Sequence, residues 1–277
     1  MTQRRTIVIT GASDGIGAAA ARRLSRDGHA LVIVGRSREK TNAVADELGA
    51  DRYVSDFAEL DQVRDLASAL RQNHPRIDVL ANNAGGVFGD RTRTVDGFEK
   101  TLQVNHLAPF LLTNLLIDTL LASRATVIAT SSAAARLFSR LDIDDLDTEQ
   151  GFSANRAYGN AKLENILFTR ELERRYGDRG LAAVAFHPGT IATGFASETT
   201  SLMRFVYRTP LRRVLLQGPE TGAEQLVWLA TSSPGTDWEP GEYYEKRSIA
   251  KTSTQAYDGM LAERLWEESA RRVGLSA

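Results

Sequence analysis

The chain has 277 residues, of which 42% are hydrophobic and 25% are charged. These fractions are typical of a globular domain with a sizeable core and exclude a disordered or fibrous chain. A formal net charge of -1 gives no overall attraction to nucleic acid or to an anionic membrane, so a small molecule is the expected partner. The absence of cysteine excludes disulfides, thiolate metal sites and cysteine nucleophiles.

The N-terminus and the histidines give no sign of a membrane anchor or a metal site. Residues 1–5 lead directly into a short apolar segment, and no apolar run approaches the length of about eighteen residues that a membrane span needs. We therefore expect a cytoplasmic protein without a stable membrane anchor. The 4 histidines are scattered, with no pair at metal-ligand spacing, so no metal is expected.

Short apolar segments alternate with longer segments of helical periodicity, a pattern typical of βαβ units. The predicted strands are 6–10, 30–34, 51–55, 77–82, 125–131, 181–187 and 242–245, and the predicted helices are 18–26, 37–48, 60–71, 98–121, 157–175 and 256–272. We expect a single Rossmann-type α/β domain over residues 1–277, doubly wound around a mainly parallel, seven-stranded sheet flanked by helices. Residues 194–218 lack a strand period and are rich in apolar side chains, which predicts a substrate lid.

The first predicted strand runs into the sequence GASDGIG over residues 11–17. Glycines at Gly11, Gly15 and Gly17 allow a tight turn and a close backbone approach, so a pyrophosphate can bind at the N-terminus of the helix that follows. The spacing is G-x-x-x-G-x-G rather than G-x-G-x-x-G. A glycine-rich turn that binds no ligand is the alternative.

Arg36 follows the second predicted strand, where a fold that prefers NAD carries an acidic residue. An arginine at this point can pair with a 2′-phosphate, which favours NADP(H). The alternative is a solvated arginine in a loop.

Two further strands end in small polar residues. The fourth strand ends in the sequence NNAGG over residues 82–86, and the fifth ends at Ser132. Small residues at the carboxyl ends of parallel strands leave room for a ligand in the crevice. A simple turn, or serines that bond only to the backbone, would also account for these residues.

Tyr158 and Lys162 are four residues apart on a predicted helix and therefore share one face. A tyrosine of ordinary pKa, about 10, is a poor acid or base at neutral pH. A neighbouring ammonium stabilises the phenolate and lowers the pKa of the phenol. The pair therefore predicts a general acid–base residue.

Taken together and in this order, these motifs closely resemble the short-chain dehydrogenase/reductase family over nearly the entire chain. The resemblance implies that Tyr158 exchanges the substrate proton, that Ser132 holds the substrate oxygen, and that Lys162 binds the nicotinamide ribose and tunes Tyr158. It also implies that Asn105 holds a water molecule that extends the proton path.

The same resemblance implies further NADP(H) contacts. These are Ser13 and Ile16 at the pyrophosphate, Asp56 and Phe57 around the adenine, Asn83 with Ala84 and Gly85 at the ribose, and Pro188, Gly189, Ile191 and Thr193 at the nicotinamide. The sequences VNHL at 104–107 and HPG at 187–189, with the long insertion between Ser132 and Tyr158, are similar to the retinol dehydrogenase-like branch of the family. Many animal members carry an N-terminal membrane anchor that this sequence lacks, so a soluble form is expected.

The leading hypothesis is an NADP(H)-dependent carbonyl reductase or alcohol dehydrogenase acting on a lipophilic or aromatic small molecule. The alternative is a catalytically silent NADP(H)-binding regulatory or scaffold protein of the same fold. Ser132, Tyr158 and Lys162 favour the enzyme, because a protein free of catalytic demand has no need for these three groups in one place. The substrate, the direction and stereochemistry of reaction, and whether the chain forms a homo-oligomer are left open.

Overall fold

A computed structural model describes residues 4–189 and 218–275. Within this described part, 8 strands form one sheet in the order β3-β2-β1-β4-β5-β6-β7-β8. The strands are β1 (Thr6–Thr10), β2 (Ala30–Gly35), β3 (Asp51–Val54), β4 (Val79–Asn82), β5 (Thr126–Thr130), β6 (Ala182–His187), β7 (Tyr243–Glu245) and β8 (Ser248–Ile249). Strands β1 to β7 pair in parallel, and β8 is antiparallel to β7.

Helices connect the strands and cover the sheet. They are α1 (Gly15–Arg26), α2 (Arg38–Leu48), α3 (Leu60–Asn73), α4 (Lys100–Leu102), α5 (Ala108–Leu115), α6 (Ile117–Ala122), α7 (Ala134–Leu137), α8 (Ala154–Tyr176), α9 (Pro219–Thr231) and α10 (Gly259–Arg272), with a π-helical turn at Gln103–Leu107 between α4 and α5. The predicted Rossmann-type α/β fold is confirmed. The predicted strand count was one too low, because β8 has only two residues after a tight turn and carries no periodicity of its own.

The core lies on both faces of the sheet, as the alternation of side chains along a strand requires. Ile7 and Ile9 of β1 point to the face covered by α1 and α9, where α1 contributes a row of alanines that lets it approach closely. Val8, between them, points to the opposite face, which is covered by α3, α5, α8 and α10. Both faces of the sheet are therefore closed to water, so the edges of the sheet are the places where a ligand can bind.

The chain turns back at β1, since β2 pairs on one side of it and β4 on the other. In open parallel sheets this reversal of strand order opens a crevice beyond the carboxyl ends of the two strands, where ligands bind. The segments that follow β1 and β4 are the glycine-rich turn and residues 83–86. The topology thus places two of the predicted motifs in one crevice.

The helices predicted from periodicity differ from the structure in two regions. The predicted helix at 98–121 is divided, because the π-helical turn interrupts it and a further break follows at Leu116. Helix α9 was not predicted, although Pro219 occupies its first turn, where the fixed φ of proline favours a helix start. Its apolar residues are spread around the helix, so it shows little amphipathic period.

The predicted lid, residues 194–218, lies outside the described part except for Gly218. Across residues 4–189 and 218–275, none of the helices combines the length and the apolar composition that crossing a bilayer requires.

Candidate active site

The turn between β1 and α1 is built for close backbone approach. Gly11 and Gly15 have φ of +66° and +56°, in the left-handed region that favours glycine. A Cβ atom at Gly17 would lie 2.5 Å from the Gly11 carbonyl oxygen, so no larger residue fits there. The Asp14 side chain accepts a hydrogen bond from the Gly15 amide at 2.7 Å. The amides of Ile16 and Gly17 lie in the first turn of α1, where no earlier helical residue provides a carbonyl acceptor for them. These amides could therefore hold an anion at the N-terminus of α1.

Thr10 joins this turn to the end of β4. Its hydroxyl accepts hydrogen bonds from the amides of Asn83 and Ala84, each at 3.0 Å, and donates to the Ala81 carbonyl oxygen at 3.3 Å. The Asn83 side chain in turn donates to the Thr10 carbonyl oxygen at 3.0 Å. The two strand ends are thereby fixed side by side, with the glycine-rich turn on one side and Gly85 on the other.

The rim beyond β2 carries positive charge. A Cβ atom at Gly35 would lie 2.7 Å from the Cβ of Ser13, so the ends of β1 and β2 meet at Ser13. Arg36 follows directly and is exposed. Lys40 donates to the Asp14 carboxylate at 2.7 Å, and this hydrogen bond holds the pKa of Asp14 below its ordinary value. Lys40 is thus paired with Asp14, and Arg36 is the cation that directly follows the end of β2.

Asp56 and Phe57, the two residues predicted to contact the adenine, differ in whether their side chains are available for such a contact. Asp56 forms a turn, with its carboxylate accepting from the Ala58 amide at 2.9 Å. The ring of Phe57 is only 4% exposed and packs in the core, so it is not available for stacking. The predicted adenine contact of Phe57 is thus left to its backbone.

Lys162 is buried beside Tyr158 on α8. Its ammonium donates to the Thr130 carbonyl oxygen at 3.0 Å and lies 5.4 Å from the centre of the Tyr158 ring. Burial lowers the pKa of Lys162 to about 7. Because Ser131 also donates to the Lys162 carbonyl oxygen at 2.7 Å, the end of β5 holds both the backbone and the side chain of this lysine.

Asn105 lies in the π-helical turn, a feature often found at functional sites. Its side-chain amide donates to the carbonyl oxygens of Gly86 and Thr101, each at 2.9 Å, and its oxygen accepts from the Gly86 amide at 3.1 Å. A Cβ atom at Gly85 would overlap the Asn105 oxygen and lie 3.2 Å from the Lys162 nitrogen. Gly85 therefore separates Asn105 from Lys162. Both amide hydrogens of Asn105 are thus engaged, while its side-chain oxygen accepts one bond and has a second acceptor position.

Ser132 follows β5 and is partly exposed. Its Oγ accepts a hydrogen bond from the Ala134 amide at 3.2 Å. A hydroxyl group has one donor and two acceptor positions, so the hydroxyl hydrogen is left to donate elsewhere. Ser132 can therefore donate to a substrate oxygen while the backbone of α7 holds its acceptor side.

The remaining predicted contacts follow β6. Pro188 and Gly189 are described, and Gly189 has a φ of +90°. Ile191 and Thr193 lie outside the described part. Because β6 pairs with β5, Pro188 comes next to the strand end that carries Ser132.

Three residues that support the site were missed by the sequence analysis. They are Thr10, Thr130 and Asn165, whose side-chain amide donates to the same Thr130 carbonyl oxygen as Lys162, at 3.2 Å. The spacing of Lys162 and Asn165 on one helical face is a signal that could have been used. The role of the Thr130 carbonyl leaves no trace in sequence, because every residue has one.

The residues present fit a nicotinamide dinucleotide. The Cβ positions at Gly11, Gly17 and Gly85 lie against other atoms of the protein, so glycine at these positions lets the turn after β1, the end of β4 and Asn105 pack closely together. This packing brings the N-terminus of α1 and the ammonium of Lys162 to the same edge of the sheet, at its topological switch point. A phosphate-containing, extended cofactor matches this arrangement.

Comparison with known proteins gives the family. The pattern of the short chain dehydrogenase family matches residues 5–203. The chain is 43% identical over 280 residues to a candidate daunorubicin C-13 ketoreductase, DnrU, of Streptomyces sp. (strain C5), covering 99% of this chain and 94% of that protein. It is 35% identical to human retinol dehydrogenase 13, covering 99% of this chain and 86% of that protein.

Solved structures agree. A protein of Mycobacterium Paratuberculosis superposes with a TM-score of 0.77 at 32% identity, covering 98% of this chain and 94% of that chain. A candidate short chain dehydrogenase of Escherichia coli CFT073, complexed with NADPH, gives a TM-score of 0.64 at 27% identity, covering 83% and 92%. With this fold and these relatives, the chain belongs to the short-chain dehydrogenase/reductase family, in its retinol dehydrogenase-like branch.

Proposed function

We propose that this oxidoreductase uses NADP(H) and interconverts a ketone and a secondary alcohol on a largely apolar, aromatic small molecule. The observation that carries the proposal is the buried ammonium of Lys162, 5.4 Å from the centre of the Tyr158 ring and bonded to the Thr130 carbonyl. Burial of an ammonium that has no carboxylate partner among the described residues is unfavourable, and the pKa of Lys162 falls accordingly. Such an arrangement is expected where the charge serves chemistry rather than stability.

The proposed roles follow from the groups. Tyr158 donates its phenolic proton to the carbonyl oxygen in reduction and removes it in oxidation. Charged Lys162 stabilises the phenolate, and Ser132 donates a hydrogen bond to the substrate oxygen. Bound NADPH would supply the hydride that the carbonyl carbon accepts. Asn105 holds residues 85–86 beside Lys162 and would hold a water molecule that extends the proton path.

The proposed preference for NADP(H) rests on the rim beyond β2. Gly35, which lies against Ser13, offers no carboxylate for the ribose hydroxyls, and the exposed Arg36 follows it directly. A 2′-phosphate would gain a charge-assisted hydrogen bond from arginine. The NADPH complex of the similar E. coli protein supports this cofactor.

The proposed substrate class rests on the segment after Ser132. Leu137 is 61% exposed and Phe138 is 45% exposed, so two large apolar side chains stand in solvent within six residues of Ser132. Exposed apolar groups beside a polar site are typical of ligand-binding surfaces. The name of the Streptomyces relative, a C-13 ketoreductase acting on daunorubicin, supports a ketone on a bulky aromatic frame.

A panel of carbonyl compounds tests the proposal. Purified protein is incubated with NADPH or NADH and with small aliphatic ketones, aromatic ketones, polycyclic aromatic ketones and retinal, and nicotinamide oxidation is followed by absorbance. The proposal requires turnover of at least one aromatic ketone with NADPH, at a higher kcat/KM than small aliphatic ketones. Tight NADPH binding without turnover of any compound would instead support the silent scaffold protein.

A further inference from the structure

Gly159 follows Tyr158 directly and lies inside α8, a helix of 23 residues. A glycine within a helix costs about 1 kcal/mol relative to alanine. A packing constraint can explain why glycine occupies this position. The structure shows one, at the contact between α8 and the segment 134–139.

Three backbone atoms of that segment surround the position of a side chain at Gly159. A Cβ atom there would lie 2.8 Å from the Ser139 nitrogen, 2.9 Å from the Ala134 carbonyl oxygen and 2.9 Å from the Phe138 carbonyl carbon. These distances are shorter than real Cβ contacts, and backbone atoms cannot swing aside as a flexible side chain does. Any side chain at residue 159 must therefore move the segment away from α8.

The same segment orients Ser132. The Ala134 amide donates to the Ser132 Oγ at 3.2 Å, while the carbonyl oxygen of Ala134 lies against Gly159. One residue thus touches α8 with its carbonyl and holds the serine with its amide. A shift of Ala134 changes the direction in which Ser132 can donate its hydrogen.

A second contact holds the far end of the segment on α8. The buried side chain of Asn160, 1% exposed, accepts a hydrogen bond from the Arg140 amide at 2.8 Å. Two consecutive residues after Tyr158 therefore hold the segment, Gly159 by its lack of a side chain and Asn160 by a hydrogen bond.

We propose that Gly159 is a positioning residue for Ser132: by letting Ala134 lie directly against α8, it fixes the serine hydroxyl relative to Tyr158 on the same helix. The inference rests on the proposed function, because it concerns the orientation of a group that acts on the substrate oxygen. Gly159 has no reactive group, so its effect on the rate arises through the orientation of Ser132.

A double-mutant cycle tests the proposal. The variants are Gly159→Ala, Ser132→Ala and the double variant, assayed in single turnover with NADPH and the best ketone of the panel. Gly259→Ala is the control, since a Cβ atom there meets nothing within 4 Å. Gly159→Ala should lower the rate roughly 10- to 100-fold, as expected for a misplaced reacting group. In the Ser132→Ala background the same substitution should lower the rate less than about twofold, because the group it positions is gone.

NADPH affinity, measured by fluorescence, should stay within about twofold in every variant, because none of the residues proposed to bind the cofactor lies in the segment 134–139. A loss of rate by Gly159→Ala that persists undiminished without Ser132, or a rate equal to that of Gly259→Ala, would overturn the proposal. Loss of turnover in Tyr158→Phe, assayed alongside, shows whether the proposed function holds independently of Gly159. An inactive wild-type protein would overturn both.

A second variant decides the matter if Gly159→Ala fails to fold, which circular dichroism would reveal. Asn160→Ala introduces no clash and releases the Arg140 amide. It should lower the rate several-fold in wild type and have no further effect in the Ser132→Ala background. An effect of equal size in both backgrounds would contradict the role of the segment in positioning Ser132.

Discussion

At the scale of single residues, the buried charge of Lys162 opposes folding while it supports chemistry. The pKa falls from 10.5, the ordinary value, to about 7 because the ammonium is desolvated. Between these two pH values the unfolded chain binds more protons than the folded one, so the free energy of unfolding rises with pH. Below about pH 7, Lys162 is charged in both the folded and the unfolded state. The desolvation of its ammonium then lowers the free energy of unfolding by its full amount.

We therefore predict a stability signature for Lys162→Met. Urea unfolding of the cofactor-free protein is measured at pH 7.0 and pH 9.5. Wild type should gain about 3 kcal/mol relative to Lys162→Met over this interval, because only wild type loses a buried charge. The exposed Lys251→Met serves as control and should follow wild type. Parallel pH dependences of wild type and Lys162→Met would show that the ammonium is not desolvated as described.

The second residue-scale prediction concerns the cofactor. Arg36→Ala removes a cation from the rim that begins at Ser13, so NADPH should lose affinity by about tenfold or more relative to NADH, as expected for one charge-assisted hydrogen bond. Arg23→Ala, an exposed substitution of equal charge on α1, should leave the ratio unchanged. Fluorescence titration with both cofactors measures the ratio. An NADPH to NADH ratio unaffected by Arg36→Ala would mean that the 2′-phosphate is bound elsewhere.

At the scale of elements, α8 carries the proposed catalytic pair, Tyr158 and Lys162, and packs against α10. Trp266 of α10 is 4% exposed and lies 5.0 Å from the ring of Phe110 and 5.7 Å from that of Phe168, centre to centre. The His106 ring joins α10 through a 2.8 Å contact with Ser269, and burial lowers the pKa of His106 to about 3, so it stays neutral. The C-terminal helix α10 thus stabilises α8 by packing against it.

Trp266→Ala should cost about 3 to 5 kcal/mol of unfolding free energy, because it removes a large buried ring and leaves a cavity. Met260→Ala, on the same helix at 76% exposure, should change the free energy by less than about 0.5 kcal/mol. Urea unfolding at constant pH compares the two. A cost below about 1 kcal/mol for Trp266→Ala would show that α10 contributes little to the stability of the domain.

The elements also show what could be predicted from sequence. Strand-end motifs were predictable, because parallel strands bring their carboxyl ends to one edge, and Asn83, Ser132 and the glycine-rich turn all lie there. Contacts that depend on exact packing were not. The π-helical turn at Asn105 has no sequence period of its own, and the contact of Gly159 with Ala134 depends on how closely two backbones approach. The burial of Phe57 follows from the packing of β3 and α3, which the periodicity of neither segment reveals.

At the scale of the whole molecule, the sheet reverses its strand order at β1, and this reversal organises the site. The N-terminus of α1 lies beyond β1, Gly85 and Asn83 follow β4, and Ser132 follows β5. Both faces of the sheet are covered by core, so the carboxyl edge is where a dinucleotide and a substrate can meet. We therefore propose that hydride transfer takes place at this edge.

Isotope transfer tests whether hydride passes from the nicotinamide to the carbonyl carbon of the substrate. Single-turnover reactions are run with NADPH deuterated at C4 of the nicotinamide, on the face that reacts, and the alcohol product is analysed by mass spectrometry. One deuterium should appear at the former carbonyl carbon, and Tyr158→Phe, which keeps the ring and removes the proton, should form the labelled product roughly 10²- to 10⁴-fold more slowly with NADPH affinity nearly unchanged. An alcohol without deuterium, or a Tyr158→Phe rate within about threefold of wild type, would contradict the account.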